Sequence, residues 1–163
     1  FLGANSQAYE QGVNLLIRTR DSVRICAEKA GMRLTCDVID TGDADEMECV
    51  VERAFTSDPR ITAVLGQVGL IAMSNLKSAL QSRGYGIPKD ISVIQLGAFG
   101  QASVMNPPLD EIPLRPYATC ARAVDVLMEI IEGKRRMSDQ GTKELIAVKY
   151  LSRGSVHDVS KGV

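Results

Sequence analysis

An α/β fold, a parallel sheet flanked by helices, is predicted by three features of this 163-residue sequence. Short apolar runs alternate with longer segments whose apolar residues recur at helical spacing. Glycine or proline closes most of these segments, as at Gly31, Gly84 and Gly133. Each apolar run is followed by a polar or glycine-containing turn, and strands alternating with helices at this rhythm favour parallel pairing. Ligands of such sheets sit beyond the carboxyl ends of the strands.

Each element follows from its residues. Residues 1–3 read as the end of a strand and 4–7 as a polar turn. Over 8–30, Val13, Leu16, Ile17, Val23 and Ala27 predict one helix, stopped by Gly31. Residues 34–39 form a short strand. Asp43 is a helix N-cap, with Glu46 three residues on as in a capping box. The helix from 44 carries Met47, Val50, Val51 and Ala54 on one side and stops before Pro59. Residues 61–65 are apolar enough for a central strand. A helix over 69–83 turns Leu70, Met73, Leu76 and Leu80 inward, and ISVIQL, 91–96, is the next strand. The rhythm breaks after Gly100: MNPPLDEIPLRP holds four prolines in twelve residues, so it is extended or turning. A helix over 118–132 follows, with Cys120, Val124, Leu127 and Ile131 on one face. KRRMSDQGTK is a polar loop, ELIAVKYLS a last strand, and GSVHDVSKGV a frayed tail.

Composition narrows the function. The length suits one domain or two small lobes. A formal charge of −1 leaves no basic footprint for nucleic acid. Cys26, Cys36, Cys49 and Cys120 lack metal-ligand spacing, so no metal or other cofactor is expected; they read as reduced thiols packed as small apolar groups. His157, the one histidine, stands in the polar tail, far from any triad. Asp37, Asp40, Asp43 and Asp45 read as a solvated turn and helix cap. GQVG, 66–69, lacks the Lys-Ser/Thr of a phosphate loop. No run is apolar enough to span a membrane, and no signal peptide is visible. The opening FLGANS, without a methionine and with a strand under way, reads as part of a longer protein. The strand ends supply the candidate ligand contacts: Asn5 and Ser6, Asp40, Gln67 and Val68, Gly97 and Ala98.

The order of several strings resembles the LacI/GalR family of bacterial transcriptional regulators, in the effector-binding core with its periplasmic-binding-protein fold. Gly84, Pro88, Asp90, Ile91, Ser92 and Val93 match that family's turn into a strand. NPPLDEI resembles its PPLTTV segment, ARAVDVLMEIIEG its amphipathic helix, and YLSRGS its terminal strand, with Arg153 and Ser155 in place. FLGAN resembles the strand opening its C-terminal subdomain. The resemblance covers essentially the whole chain.

It implies an architecture and a role. Residues 1–97 would form most of the C-terminal effector-binding subdomain. Residues 98–143 would cross to the N-terminal subdomain, leaving the strand at 110–115 and the helix after it without the sheet they normally join. Residues 144–163 would return as a strand and tail. The chain would sense a small molecule, a sugar or an anionic sugar derivative, in a cytoplasmic regulator that is not an enzyme. DNA would be read only by a helix-turn-helix absent here. The family's Asn-Asp pair falls at Val68 and Gly69, and its next aspartates at Gly97 and Ala98, so the acidic anchors are missing. The family arginine maps to Arg20, left as a buried cation without counter-charge. Arg115 stands where a proline is usual, and Cys120 where a glycine is. A homodimer would form through Leu70, Met73, Ser74, Lys77 and Phe99, and the unsupported crossover would repack or exchange between copies. A periplasmic sugar-binding protein is the alternative. A flavodoxin- or receiver-like domain would need a strand-end aspartate such as Asp40 and a partner lysine.

Overall fold

In the computed structural model, which describes residues 1–57, 61–136 and 144–157, five strands form one parallel sheet. They are β1 (Leu2–Ala4), β2 (Asp37–Ile39), β3 (Ala63–Gln67), β4 (Ser92–Ala98) and β5 (Asp110–Leu114), in the order β2-β1-β3-β4-β5. Between them run α1 (Ser6–Glu10), α2 (Asn14–Lys29), α3 (Ala44–Thr56) and α4 (Leu70–Ser82), with a 3-10 turn at Ala102–Val104 and α5 (Pro116–Ile131) after the last strand.

Residues paired across parallel strands point to the same side, so the register divides the sheet into two faces. Val64 pairs with Val93 and Gly66 with Gln95 on one face. Met47, Val50 and Val51 of α3 and Met73, Leu76 and Leu80 of α4 cover it, and all six are buried. Each such side chain removed from water stabilises the fold by about 1.5–3 kcal/mol, so this layer carries the core. The other face shows Leu65, Ile94, Leu96 and Ile112 half-buried. There α2 buries only Ala27, and α5 buries nothing.

The alternation predicted from sequence is present, with instructive departures. The helix expected over 8–30 is two helices. Gly12, at φ +73°, turns the chain between them, and its N–H and that of Val13 bond back to Tyr9 and Ala8; glycine reaches that conformation without a Cβ clash. The expected turn at 4–7 is the start of α1, where the Asn5 side chain accepts the Ala8 N–H at 3.1 Å. The strand expected over 34–39 is confined to Asp37–Ile39, and β3 and β4 each run two residues further than expected. The strand expected to lose its sheet does not: β5 pairs with β4 from Asp110 to Leu114.

No strand forms over the described part of ELIAVKYLS. One antiparallel bridge joins Leu151 to Glu111, each N–H bonding the other's carbonyl at 2.9 Å. Pro113 is the next residue whose N–H would face that edge, and it has none, so the ladder cannot extend. Nor is the start of the tail frayed. Ser155 is buried, donates its hydroxyl to the Val93 carbonyl and accepts the Asp110 N–H at 2.7 Å, while its own carbonyl accepts the Val93 N–H. The rest of that tail, 158–163, and most of the KRRMSDQGTK loop, 137–143, lie outside the described residues. All four cysteines are exposed thiols rather than packed ones, because each falls on the outer side of a helix or in a loop.

Candidate functional site

The carboxyl ends of β1 to β4 form a rim, and the structure brings most of the predicted contacts there. Asp40 follows β2 and accepts the Ser6 N–H at 3.2 Å and the Ser6 hydroxyl. Asn5 is occupied as the cap of α1. These three polar residues meet, but they chiefly fix the start of α1. The capping box differs from expectation. Asp43 accepts the Glu46 N–H at 2.9 Å, but Glu46 reaches past Asp43 to the N–H groups of Asp40, Thr41 and Gly42, at 2.8 to 3.0 Å. Burial alone would raise the Glu46 pKa; these hydrogen bonds outweigh it and hold the carboxyl below its ordinary value.

A second group lies on the α2 side of the sheet. Arg20 is half-buried over the Tyr9 ring, 5.1 Å from its centroid. It is not without a counter-charge: Nε and Nη2 lie 3.3 and 3.2 Å from Asp21 Oδ1. The expectation of a lone buried cation is therefore corrected. The pairing is with the adjacent residue on the same helix, which no spacing rule singles out. The remaining guanidinium nitrogen, Nη1, makes no hydrogen bond among the described residues.

Sequence reasoning missed Tyr9 and Thr19. The Tyr9 hydroxyl stands over Gly3, where a Cβ would lie 2.5 Å from it, so the glycine makes room for the ring. Gly3 pairs with Gln67 and shares its face. Gln67 Nε2 donates to Thr19 Oγ1 at 3.3 Å, because the Thr19 hydroxyl proton is committed to the Leu15 carbonyl at 2.7 Å. Gln67 Oε1 and Tyr9 OH are buried without a hydrogen-bond partner among the described residues. A glycine three residues into the chain and an aromatic six further on were the available signal, but only the fold shows that they touch.

The neutral positions do not all face the rim. Val68 is buried in the core cluster, and Gln95 Nε2 lies 3.5 Å from its carbonyl. Gly97 and Ala98 belong to β4 itself rather than the turn beyond. A Cβ on Gly97 would lie 3.0 Å from Gln101 Oε1 and 3.2 Å from Gln95 Nε2. Past them, Phe99 is exposed and Arg115 stacks on its ring at 5.2 Å.

The predicted interface residues separate. Leu70, Ser74 and Lys77 line a groove of about 320 Å³ with Val104, Met105 and Asn106. Met73 is fully buried against Gly66 and presents no outer surface. Lys77 is buried, donates to the Pro107 carbonyl at 3.3 Å, and has its pKa lowered by burial. Ile71, 76% exposed on the same helix, was not anticipated. Among the described residues no group of three His, Cys, Asp or Glu is placed to hold a metal, and no helix is long and apolar enough to cross a membrane.

This sheet order, with helices on both sides and polar residues gathered at the strand ends, defines an open parallel α/β domain, a class whose ligands sit at the strand ends. The chain belongs to the periplasmic binding protein-like domain family, which it matches over residues 9–156. Among solved structures it resembles a LacI family transcriptional regulator from Arthrobacter sp. FB24, at 20% identity and TM-score 0.70, over 96% of this chain and 55% of that one. It also resembles a LacI family regulator from Bifidobacterium animalis subsp. lactis DSM 10140, at 19% identity and TM-score 0.70, over 95% and 53%. The Arthrobacter regulator in complex with lactose matches at 18% identity and TM-score 0.70, over 96% and 55%. The chain thus spans about half the length of these regulators. No curated protein matches it.

Proposed function

We propose that the chain is the effector-sensing and dimerising portion of a LacI-type transcriptional regulator, binding a sugar or an anionic sugar derivative at the strand-end rim. The observation that carries this reading is Arg20. It stands over Tyr9 beside the β1 and β3 ends, with Nη1 open to a ligand oxygen. Guanidinium donors suit sugar hydroxyls and carboxylates alike. The lactose complex of the similar Arthrobacter regulator supports the ligand class. The likeness to transcriptional regulators supports a binding module rather than an enzyme, acting in the cytoplasm. DNA is contacted by another part of the regulator. The second lobe of the cleft would rest on α5, and the crossing between lobes would fall between β5 and that helix. Two copies would meet across α4, through Leu70, Ser74 and Ile71, and the segment carrying Phe99.

The test is a thermal-shift comparison of lactose, galacturonate and galactose 6-phosphate on the chain and on Arg20→Ala. A ligand at about a hundred times its dissociation constant adds about 2.7 kcal/mol of stability. A stabilising sugar whose effect disappears in Arg20→Ala is the expected result. A shift that survives the substitution removes Arg20 from the site. A response to galacturonate or the phosphate but not to lactose assigns an anionic effector.

A further inference from the structure

A buried carboxylate links the rim to the segment that returns to it. Glu111, on β5, is fully buried and points to the α4 side beside Gln95. Its Oε1 accepts the Gly100 N–H at 2.9 Å. Gly100, at φ +88°, makes the turn that ends the β4 side of the rim. The other oxygen, Oε2, lies 2.8 Å from Arg153 Nη2, an ion pair without hydrogen-bond alignment. Arg153 Nη1 also donates to the Leu109 carbonyl at 3.0 Å, so the guanidinium is held at two points. The Glu111 backbone completes the bridge to Leu151.

We infer that Glu111 is a positioning residue: it sets the Gly97–Gly100 wall of the rim according to where Arg153 and the returning segment lie. A fully buried carboxylate must keep its partners, since leaving either unpaired in the interior is costly. It cannot follow Gly100 away from Arg153, or Arg153 away from Gly100. A shift of the returning segment therefore draws the β4 turn with it, and an occupant that moves the turn pulls on the segment. Gln95 extends the same buried layer toward the end of β3 through the Val68 carbonyl. Glu111 touches no ligand position itself.

The consequence for effector sensing rests on the proposed rim site, but the linkage is tested without any ligand. Amide hydrogen exchange is measured residue by residue on the whole chain, with the Gly100 rate taken relative to that of Ile94 in β4. Arg153→Gln, which does not touch Gly100, should raise that ratio about tenfold, the loosening expected when the acceptor of one charge-assisted hydrogen bond loses its anchor. Arg153→Lys should raise it by a smaller factor, about threefold, because an ammonium restores the charge but not the fork. A merely structural loss would speed Gly100 and Ile94 together. An unchanged ratio in Arg153→Gln overturns the inference and leaves the bridge as a lock on residues 150–155 alone. Should that variant fail to fold, Arg153→Lys is read instead, and a ratio identical to the original overturns it equally. Failure of the sugar titrations leaves this result untouched, so the two readings fall separately.

Discussion

Two helices of this protein carry nearly the same local pattern and meet opposite fates. In α4, Met73, Leu76 and Leu80 recur at helical spacing and are buried. In α5, Val124, Leu127 and Ile131 recur likewise, yet Leu127 is 56% exposed and no residue of the helix is buried. Its ion pairs do not reach the sheet: Arg122 pairs with Glu129 of the same helix and with Glu144 at 2.7 to 2.8 Å, and Arg135 with Glu144 at 2.6 Å, all between partly exposed groups. Hydrogen bonds from both arginines draw the Glu144 carboxyl down to about 2. An amphipathic stripe thus says that a face wants a partner, not that this chain supplies one.

The largest effect that would sharpen the comparison is Leu76→Ala. Deleting a fully buried leucine leaves a cavity under the sheet and should cost about 2–5 kcal/mol in urea unfolding. A loss as small as that of an α5 substitution would break the contrast. Next comes Asp110→Asn. Asp110 is buried and accepts from Tyr150, Arg153 N and Ser155 N, the last two at 2.7 and 2.9 Å. Removing its charge should cost about 2–3 kcal/mol. Burial would raise its pKa, but these hydrogen bonds hold it below the ordinary 3.8. Its contribution is therefore complete above that value and lost as pH falls through the lower folded value. An acid titration that releases the 150–155 segment first, followed by amide exchange, would show it; release only at alkaline pH would contradict the sign.

Glu46→Gln should cost about 1 kcal/mol, since an amide can replace only part of what the carboxylate accepts from Asp40, Thr41 and Gly42. The smallest effect is Leu127→Ala, within about 0.5 kcal/mol. Its companion Leu127→Lys should leave the unfolding curve in place while reducing self-association in sedimentation, because only an unpartnered face is altered. A loss of several kcal/mol would mean that α5 packs in solution against a surface this structure leaves open.

Much of the fold was legible. The helices at 44, 70 and 116 were found because each has a stripe at one period and a clear stop. The break at Gly12 was not, because one apolar pattern runs on across it and only a glycine marks the turn. The last strand was misread for a reason present in the chain but not in that segment: Pro113 stands on its partner and withholds a donor. At the candidate site, Asp40, Ser6, Gln67 and Arg20 were reachable from strand ends and from the family likeness. Tyr9 and Thr19 were not, since both sit on helices and meet the sheet only through packing. Met73 looked equally suited to an outer face or a core, and burial alone assigned it.

What the sequence by itself determined is the alternation of parallel strands and helices, the absence of acids at positions 68, 69, 97 and 98, and the apolar stripe of α5, because each follows from residue type and local period. Tertiary structure alone decided that Arg20 stacks on Tyr9, that Glu111 joins Gly100 to Arg153, and that the α5 stripe lies bare. These depend on which groups come within a few ångströms across the chain, and neither spacing nor composition encodes that distance.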